Sequence, residues 1–168
     1  MIKTGRDILE YCGEHQCPIY QMMLEKESVE ADLSPQMIKE KLRLEITVMR
    51  EAVDLAKPGA RRGYLIGGEA EKLMSRMDTY EPLSGRRMAK AYAYALKAAE
   101  TNASMGRIVA APTAGASGIL PAVLFTLEEC LDLSEEDLVN GLLTAGAIGI
   151  VIGENACISG AMGGCQSE

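Results

Sequence analysis

The chain has no tryptophan, one phenylalanine and one histidine among 168 residues. A β-sandwich core wants aromatic and β-branched side chains, so their scarcity argues against one. With His15 the only histidine, neither a histidine-based catalytic triad nor a His-rich zinc site can form elsewhere. Basic charge is short too: 17 Lys and Arg stand against 24 Asp and Glu, a net charge of −7. Nucleic acid, whose phosphates need clustered cations, is therefore not an expected partner. The dense basic pairs are Arg61-Arg62 and Arg86-Arg87, read as solvated surface or, more sharply, as capture groups for a substrate carboxylate.

Long apolar runs are also missing. The most apolar stretch, Leu138 to Ile152, falls short of the roughly 20 residues a membrane span needs. It contains Asn140 and is punctuated by Gly141, Gly146 and Gly149, so it reads as a fully buried helix whose small residues let neighbours come close. The N-terminus, Met1-Ile2-Lys3-Thr4-Gly5-Arg6, has no apolar core of a secretory signal. The five cysteines are Cys12, Cys17, Cys130, Cys157 and Cys165. An odd count without a leader suggests reduced thiols and a cytoplasmic location.

What is present is small and helix-favouring: 17 glycines, 10 methionines and Ala-rich runs such as Met88 to Ala99. The expectation is an all-α fold of about seven or eight helices, with Gly-rich loops at helix N-termini and one central apolar helix. Thr4 caps a helix over Gly5–His15, and a second runs from about Pro18 to Glu30. Ser34-Pro35 opens a third that continues to about Ala56, with Ile38, Leu42, Ile46, Met49 and Val53 on one stripe. Further helices are expected over Glu69–Asp78, Arg86–Glu100, from the Pro121 region to about Asp132, and from Ser134, whose acidic first turn favours a capped start. Cys12, His15 and Cys17 invite a metal reading, but the spacing lacks a second ligand pair, and part-buried thiols are the plainer one.

The stretch Arg107 to Leu124, RIVAAPTAGASGILPAVL, carries the functional signal. An apolar run enters a tight loop of small residues, Pro112 to Gly118, which feeds a helix with Pro121 in its first turn. Free N–H groups and the positive end of the helix dipole would then face a carboxylate or phosphate. Gly115 and Gly118 permit close approach or positive φ, and Thr113 and Ser117 offer hydroxyls. The plainer alternative is a turn and an N-cap; no Gly-Lys-Ser/Thr follows, so it is not a P-loop. A second Gly-rich segment, Gly153 to Glu168, reads GENACISGAMGGCQSE, and its Glu154-Asn155 would form a surface turn or a polar pocket wall.

Together these words resemble the iron–sulfur-dependent L-serine dehydratases, alpha or catalytic chain. The long shared words are APTAGASGILPAVL and NACISGAMGGCQSE, with GGEA at Gly67–Ala70 and LSG at Leu83–Gly85 as weaker ones. The resemblance spans roughly residues 58 to 168 and departs from the family at Gly63-Tyr64-Leu65-Ile66, where Ser-Gly-x-Thr is usual. It implies conversion of L-serine to pyruvate and ammonia, with the open iron of a [4Fe–4S] cluster polarising the C–O bond as a Lewis acid. It implies Thr113, Gly115, Ser117, Asn155 and Ser159 as substrate contacts and Cys165 as a cluster ligand. The general base is not assigned, and Cys157 stands where the family often has Ser or Phe, so no ligation is carried onto it.

The family's other cluster cysteines lie downstream of the matched words. The 168 residues therefore read as a single all-α domain, the N-terminal part of a larger catalytic domain, without a cluster or activity of its own. A beta chain or fused regulatory domain is the expected partner, self-association is compatible with the reading, and no membrane is expected. The competing class is a non-catalytic helical interaction or regulatory module, and a weaker idea is phosphate binding at the helix start after Gly118.

Overall fold

A computed structural model of the chain describes residues 2–54 and 67–164. All eight helices among the described residues match an all-α fold: α1 Gly5–His15, α2 Ile19–Ala31, α3 Pro35–Ala52, α4 Glu69–Met77, α5 Arg86–Ala103, α6 Ile119–Leu131, α7 Glu135–Asn155 and α8 Gly160–Gly163. They fall into two compact units, residues 1–44 with 134–168, and residues 45–133.

In the first unit, α2 packs against α7, and α1 touches both. Local sequence explains where α1 and α7 begin. Thr4 accepts from the Asp7 N–H while Asp7 accepts from the Thr4 N–H, and Ser134 and Asp137 repeat the reciprocal pattern. Each box satisfies orphan donors that a helix start otherwise leaves open. Both aspartates are held below the usual carboxylate range, Asp7 first by the Lys3 N–H and then by the Thr4 N–H, and Asp137 first by the Ser134 hydroxyl. Lys39 and Arg43 pair with Glu136 in the first turn of α7, the arginine at 2.8 Å. The Lys39 hydrogen bond leads in lowering the Glu136 carboxyl.

The apolar helix α7 departs from the expectation of full burial. Leu138, Val139, Leu142, Leu143 and Ala147 are buried, but Ile148 and Ile152 stay about half exposed at 47% and 52%. By length and composition alone α7 could cross a membrane, yet only 28% of its most apolar window is buried in the structure. The reason is periodicity: apolar residues run all round the helix, while α2 covers one side, with Met23 Cε 3.8 Å from where a Cβ on Gly146 would stand.

In the second unit, α5 packs with α4 and with α6. Ala89, Ala93 and Ala98 are buried, Ala93 and Ala98 completely, so α5 offers a nearly flat surface to its neighbours. Arg50 of α3 forms two parallel 2.8 Å bonds to Glu128 of α6 and lies 4.4 Å from the centre of the Phe125 ring. Such a fork is geometrically specific as well as attractive. On α6, Ile119, Val123, Leu127 and Leu131 recur every four residues and remain exposed. The third helix ends at Ala52, four residues before the expected Ala56, and the departure at Gly63 to Ile66 lies outside the described residues.

Candidate functional site

The small-residue loop sits in the second unit, after the segment that leaves α5. Its root is buried: Ala116 is 7% and Ser117 4% exposed, and Gly118 is buried with them. Its tip, Ala114 and Gly115, is exposed, and Thr113 lies between these extremes. The Ala111–Pro112 peptide bond that opens the loop is cis.

One carbonyl organises the loop. The Ala114 oxygen accepts from the Ser117 hydroxyl at 2.7 Å, from the Asn102 side-chain amide at 3.0 Å and, more distantly, from the Ser117 N–H at 3.4 Å. Ser117 is thus engaged inside the loop as a donor, with its oxygen lone pairs remaining as acceptors. Gly118 is required by proximity, not by backbone conformation: its φ of −84° is ordinary, but a Cβ there would stand 2.8 Å from the Ala95 carbonyl oxygen and 3.2 Å from the Ala98 Cβ.

The start of α6 offers fewer donors than the sequence suggested. Gly118 caps it without a side-chain bond, Ile119 donates its N–H to the Ala116 carbonyl at 3.1 Å, and Pro121 has none to give. Two of the first three helical positions therefore present no N–H to a ligand.

A second set of contacts fastens the Gly67–Ala70 word. Gly68 is the cap of α4, in the left-handed region at φ +87°, and supplies no side chain. The carboxylate of Glu100, from α5, takes over by accepting from the Ala70 N–H at 3.1 Å, and Glu100 is itself only 2% exposed. Glu69 turns back to accept from the Gly67 N–H at 2.6 Å, and that bond leads in holding its carboxyl below the usual range. At about 100° per residue, Glu100 lies roughly opposite Ala98, so the Gly67–Ala70 turn and the Thr113–Gly118 loop are held on different sides of α5. Thr101, between them, donates to the Ala52 carbonyl at 2.8 Å. Neither Glu100 nor Asn102 stood out in the sequence as more than a polar residue near a helix end. The run Glu100-Thr101-Asn102, three polar side chains closing an Ala-rich helix, was the available signal.

Asn155 and Ser159 belong to the first unit. Asn155 is the last residue of α7, and its amide donates to the Lys3 carbonyl at 2.7 Å and to the Val151 carbonyl at 2.8 Å. Ser159 caps the short α8; its carbonyl accepts from Met162 and Gly163, and the Cys157 thiol donates to it at 3.8 Å. Glu154 and Asn155, open to reading as a surface turn or as a polar pocket wall, are the last two residues of α7. Cys165 lies outside the described residues.

Among the described residues no three His, Cys, Asp or Glu side chains gather where a metal ion could be held. Cys12, Cys17, Cys130 and Cys157 are all free thiols. His15 is spent on its own helix, with Nδ1 3.0 Å from the Tyr11 carbonyl and its ring stacked on Tyr11 at 4.0 Å. These residues do not supply the thiolate set of an iron–sulfur cluster. A cavity of about 530 Å³ in the second unit is lined by Arg50, Tyr94 and Phe125 among others, and its lining includes none of Thr113, Gly115 and Ser117.

The geometry defines a class: an all-α protein with a small-residue loop before α6 that is clamped onto α5 through Gly118 and the Ala114 carbonyl. The family model described as serine dehydratase alpha chain matches residues 14–168. The L-serine dehydratase alpha chain of Peptoniphilus asaccharolyticus is 38% identical over 170 residues, covering 100% of this chain and 58% of that protein. The probable L-serine dehydratase alpha chain of Bacillus subtilis is 36% identical over 169 residues, covering 100% and 56%. The L-serine dehydratase of Streptomyces coelicolor is 41% identical over 177 residues, covering 99% and 37%. The chain belongs to the serine dehydratase alpha chain family, and it spans little more than half the length of the two alpha-chain relatives just named.

Proposed function

We propose that this chain forms part of an L-serine ammonia-lyase, a cytoplasmic enzyme that removes water and then ammonia from L-serine to leave pyruvate. The observation that carries the proposal is the family match over residues 14–168, which takes in the whole clamped loop from Thr113 to Gly118. On this reading Thr113, Gly115 and Ser117 contact the amino acid. The exposed tip at Ala114-Gly115 admits it, the buried root at Ala116–Gly118 keeps the loop in shape, and the Ser117 oxygen offers lone pairs to an ammonium. Asn155 and Ser159 are proposed as serine contacts, each to be tested by its own substitution, and Cys165 as the one cluster ligand this chain provides. A [4Fe–4S] cluster, when bound, supplies Lewis acidity toward the substrate oxygen. One thiolate does not hold a cubane, so the remaining ligands come from outside these residues and the 168-residue chain alone is inactive. A beta chain or fused regulatory domain completes the assembly.

The test is anaerobic reconstitution with iron and sulfide of the complete alpha chain with its partner, beside the 168-residue chain. The complete enzyme is expected to release pyruvate from L-serine and lose activity in air, while the short chain shows neither turnover nor a stoichiometric cluster absorption. Absence of pyruvate from the complete, cluster-loaded enzyme overturns the proposal in favour of a non-catalytic helical module.

A further inference from the structure

We infer that Asn102 is a positioning residue of the serine site, acting through the Ala114 carbonyl; this rests on the proposed dehydratase reading. Ala95, Ala98 and Asn102 follow one another at three- and four-residue steps, so they share one face of α5. That face carries the loop at both ends. At the root, Gly118 lies so close to Ala95 and Ala98 that no side chain fits between them. Toward the tip, the Asn102 amide reaches the Ala114 carbonyl at 3.0 Å. The root is held by close packing, which the loss of one hydrogen bond does not undo. The tip, where Ala114 and Gly115 are exposed, is held by the bonds that the Ala114 oxygen accepts and by the Ala111 N–H, which donates to the Thr113 carbonyl at 3.3 Å.

Two side chains supply that oxygen, and they differ in origin. Ser117 belongs to the loop, so its bond sets the local turn but cannot fix the loop against α5. Asn102 belongs to the helix and provides the fixed point. Its own backbone is settled independently, because its carbonyl accepts from the Met105 N–H at 3.0 Å in the turn that ends α5. The side chain therefore acts on the loop from a firm base. Replacing the amide by a carboxylate leaves two acceptors facing each other.

The experiment compares Asn102→Ala, Asn102→Asp, Ser117→Ala and the Asn102→Ala/Ser117→Ala double variant in the complete, cluster-loaded enzyme. Thr101→Val is the control, since its hydroxyl holds the Ala52 carbonyl and not the loop. Asn102→Ala is expected to raise KM for L-serine about five- to tenfold with a smaller change in kcat, and Asn102→Asp to raise it further. The double variant should be less than the product of the singles, because both bonds end on one oxygen. Thr101→Val should lower the melting temperature and leave KM unchanged. A second readout needs no turnover: amide hydrogen exchange over Thr113–Gly118 should quicken in Asn102→Ala and not in Thr101→Val. Unchanged KM and unchanged loop exchange in both Asn102 variants overturn the inference. If the unsubstituted enzyme makes no pyruvate, the dehydratase reading falls; if it does and the Asn102 variants match it in KM and exchange, this inference alone falls.

Discussion

In the first unit, α1 and α7 each begin on a hydroxyl residue that caps its own helix, Thr4 and Ser134. In the second, α4, α5 and α6 begin on Gly68, Gly85 and Gly118, none of which has a side chain to cap with. At α4 the open donor is met from a distance, since Glu100 reaches the Ala70 N–H thirty residues away; the next two residues of α5 reach carbonyls on other segments, Thr101 that of Ala52 at the end of α3 and Asn102 that of Ala114 in the loop before α6. A local cap fixes a helix end cheaply but fills the space in front of it. A distant one leaves that space open and ties the helix end to its neighbour. The open loop that the family match takes in lies in the unit built the second way.

That contrast is broken most directly at Glu100. Glu100→Ala removes a carboxylate that is only 2% exposed, strands the Ala70 N–H in a buried place and opens a cavity. The expected loss is about 3 kcal/mol, measured by urea unfolding. Glu100→Gln retains an acceptor of the same shape and should recover most of it. If Glu100→Ala costs no more than a surface substitution, distant capping is not what holds α4.

Next in size is a pair of glycine substitutions with opposite signs. Gly118→Ala places a methyl group 2.8 Å from the backbone oxygen of Ala95, which cannot swing aside, so α5 and α6 must separate. A loss of about 1–3 kcal/mol is expected. Gly149→Ala, in the interior of α7, meets nothing within 4 Å. It should stabilise by about 0.5–1 kcal/mol, because alanine gives up less backbone freedom than glycine. Equal effects at the two sites, read by thermal unfolding, would remove the distinction between a glycine kept for close approach and one kept for no local reason.

The same division explains what the sequence disclosed. The starts at Thr4, Ser34 and Ser134 were legible because cap and capped group lie within three or four residues of each other. The loop at Pro112 to Gly118 was legible as small residues before Pro121, but its purpose in packing was not: the partner of Gly118 is the backbone of Ala95, more than twenty residues back. Glu100 and Asn102 are not legible in the sequence, because a polar residue near a helix end looks solvated until its partners are known. The second half of α7 was expected to be buried because composition reports apolarity, whereas burial depends on what stands opposite. Sequence pattern gives the local rule, and long-range contact decides where the rule is overridden.

The smallest effect sharpens the comparison from the locally capped side. Ser134→Ala deletes the hydroxyl that accepts from the Asp137 N–H at 3.2 Å and donates to the Asp137 carboxylate at 2.7 Å. A loss of about 1 kcal/mol is expected at neutral pH. The size should depend on pH, and the sign follows from the aspartate. The folded state lowers the Asp137 carboxyl below its ordinary value of 3.8, with the Ser134 hydroxyl as the leading cause. A carboxyl lowered in this way stabilises the fold above its unfolded value, and that stability is lost as pH falls through the lowered one. Wild type and variant should therefore differ fully at neutral pH and draw together as the solution is acidified below 3.8. Urea unfolding of wild type and Ser134→Ala at neutral and acid pH makes the measurement: a gap that does not narrow on acidification below 3.8 would mean that the reciprocal box contributes nothing through its charge.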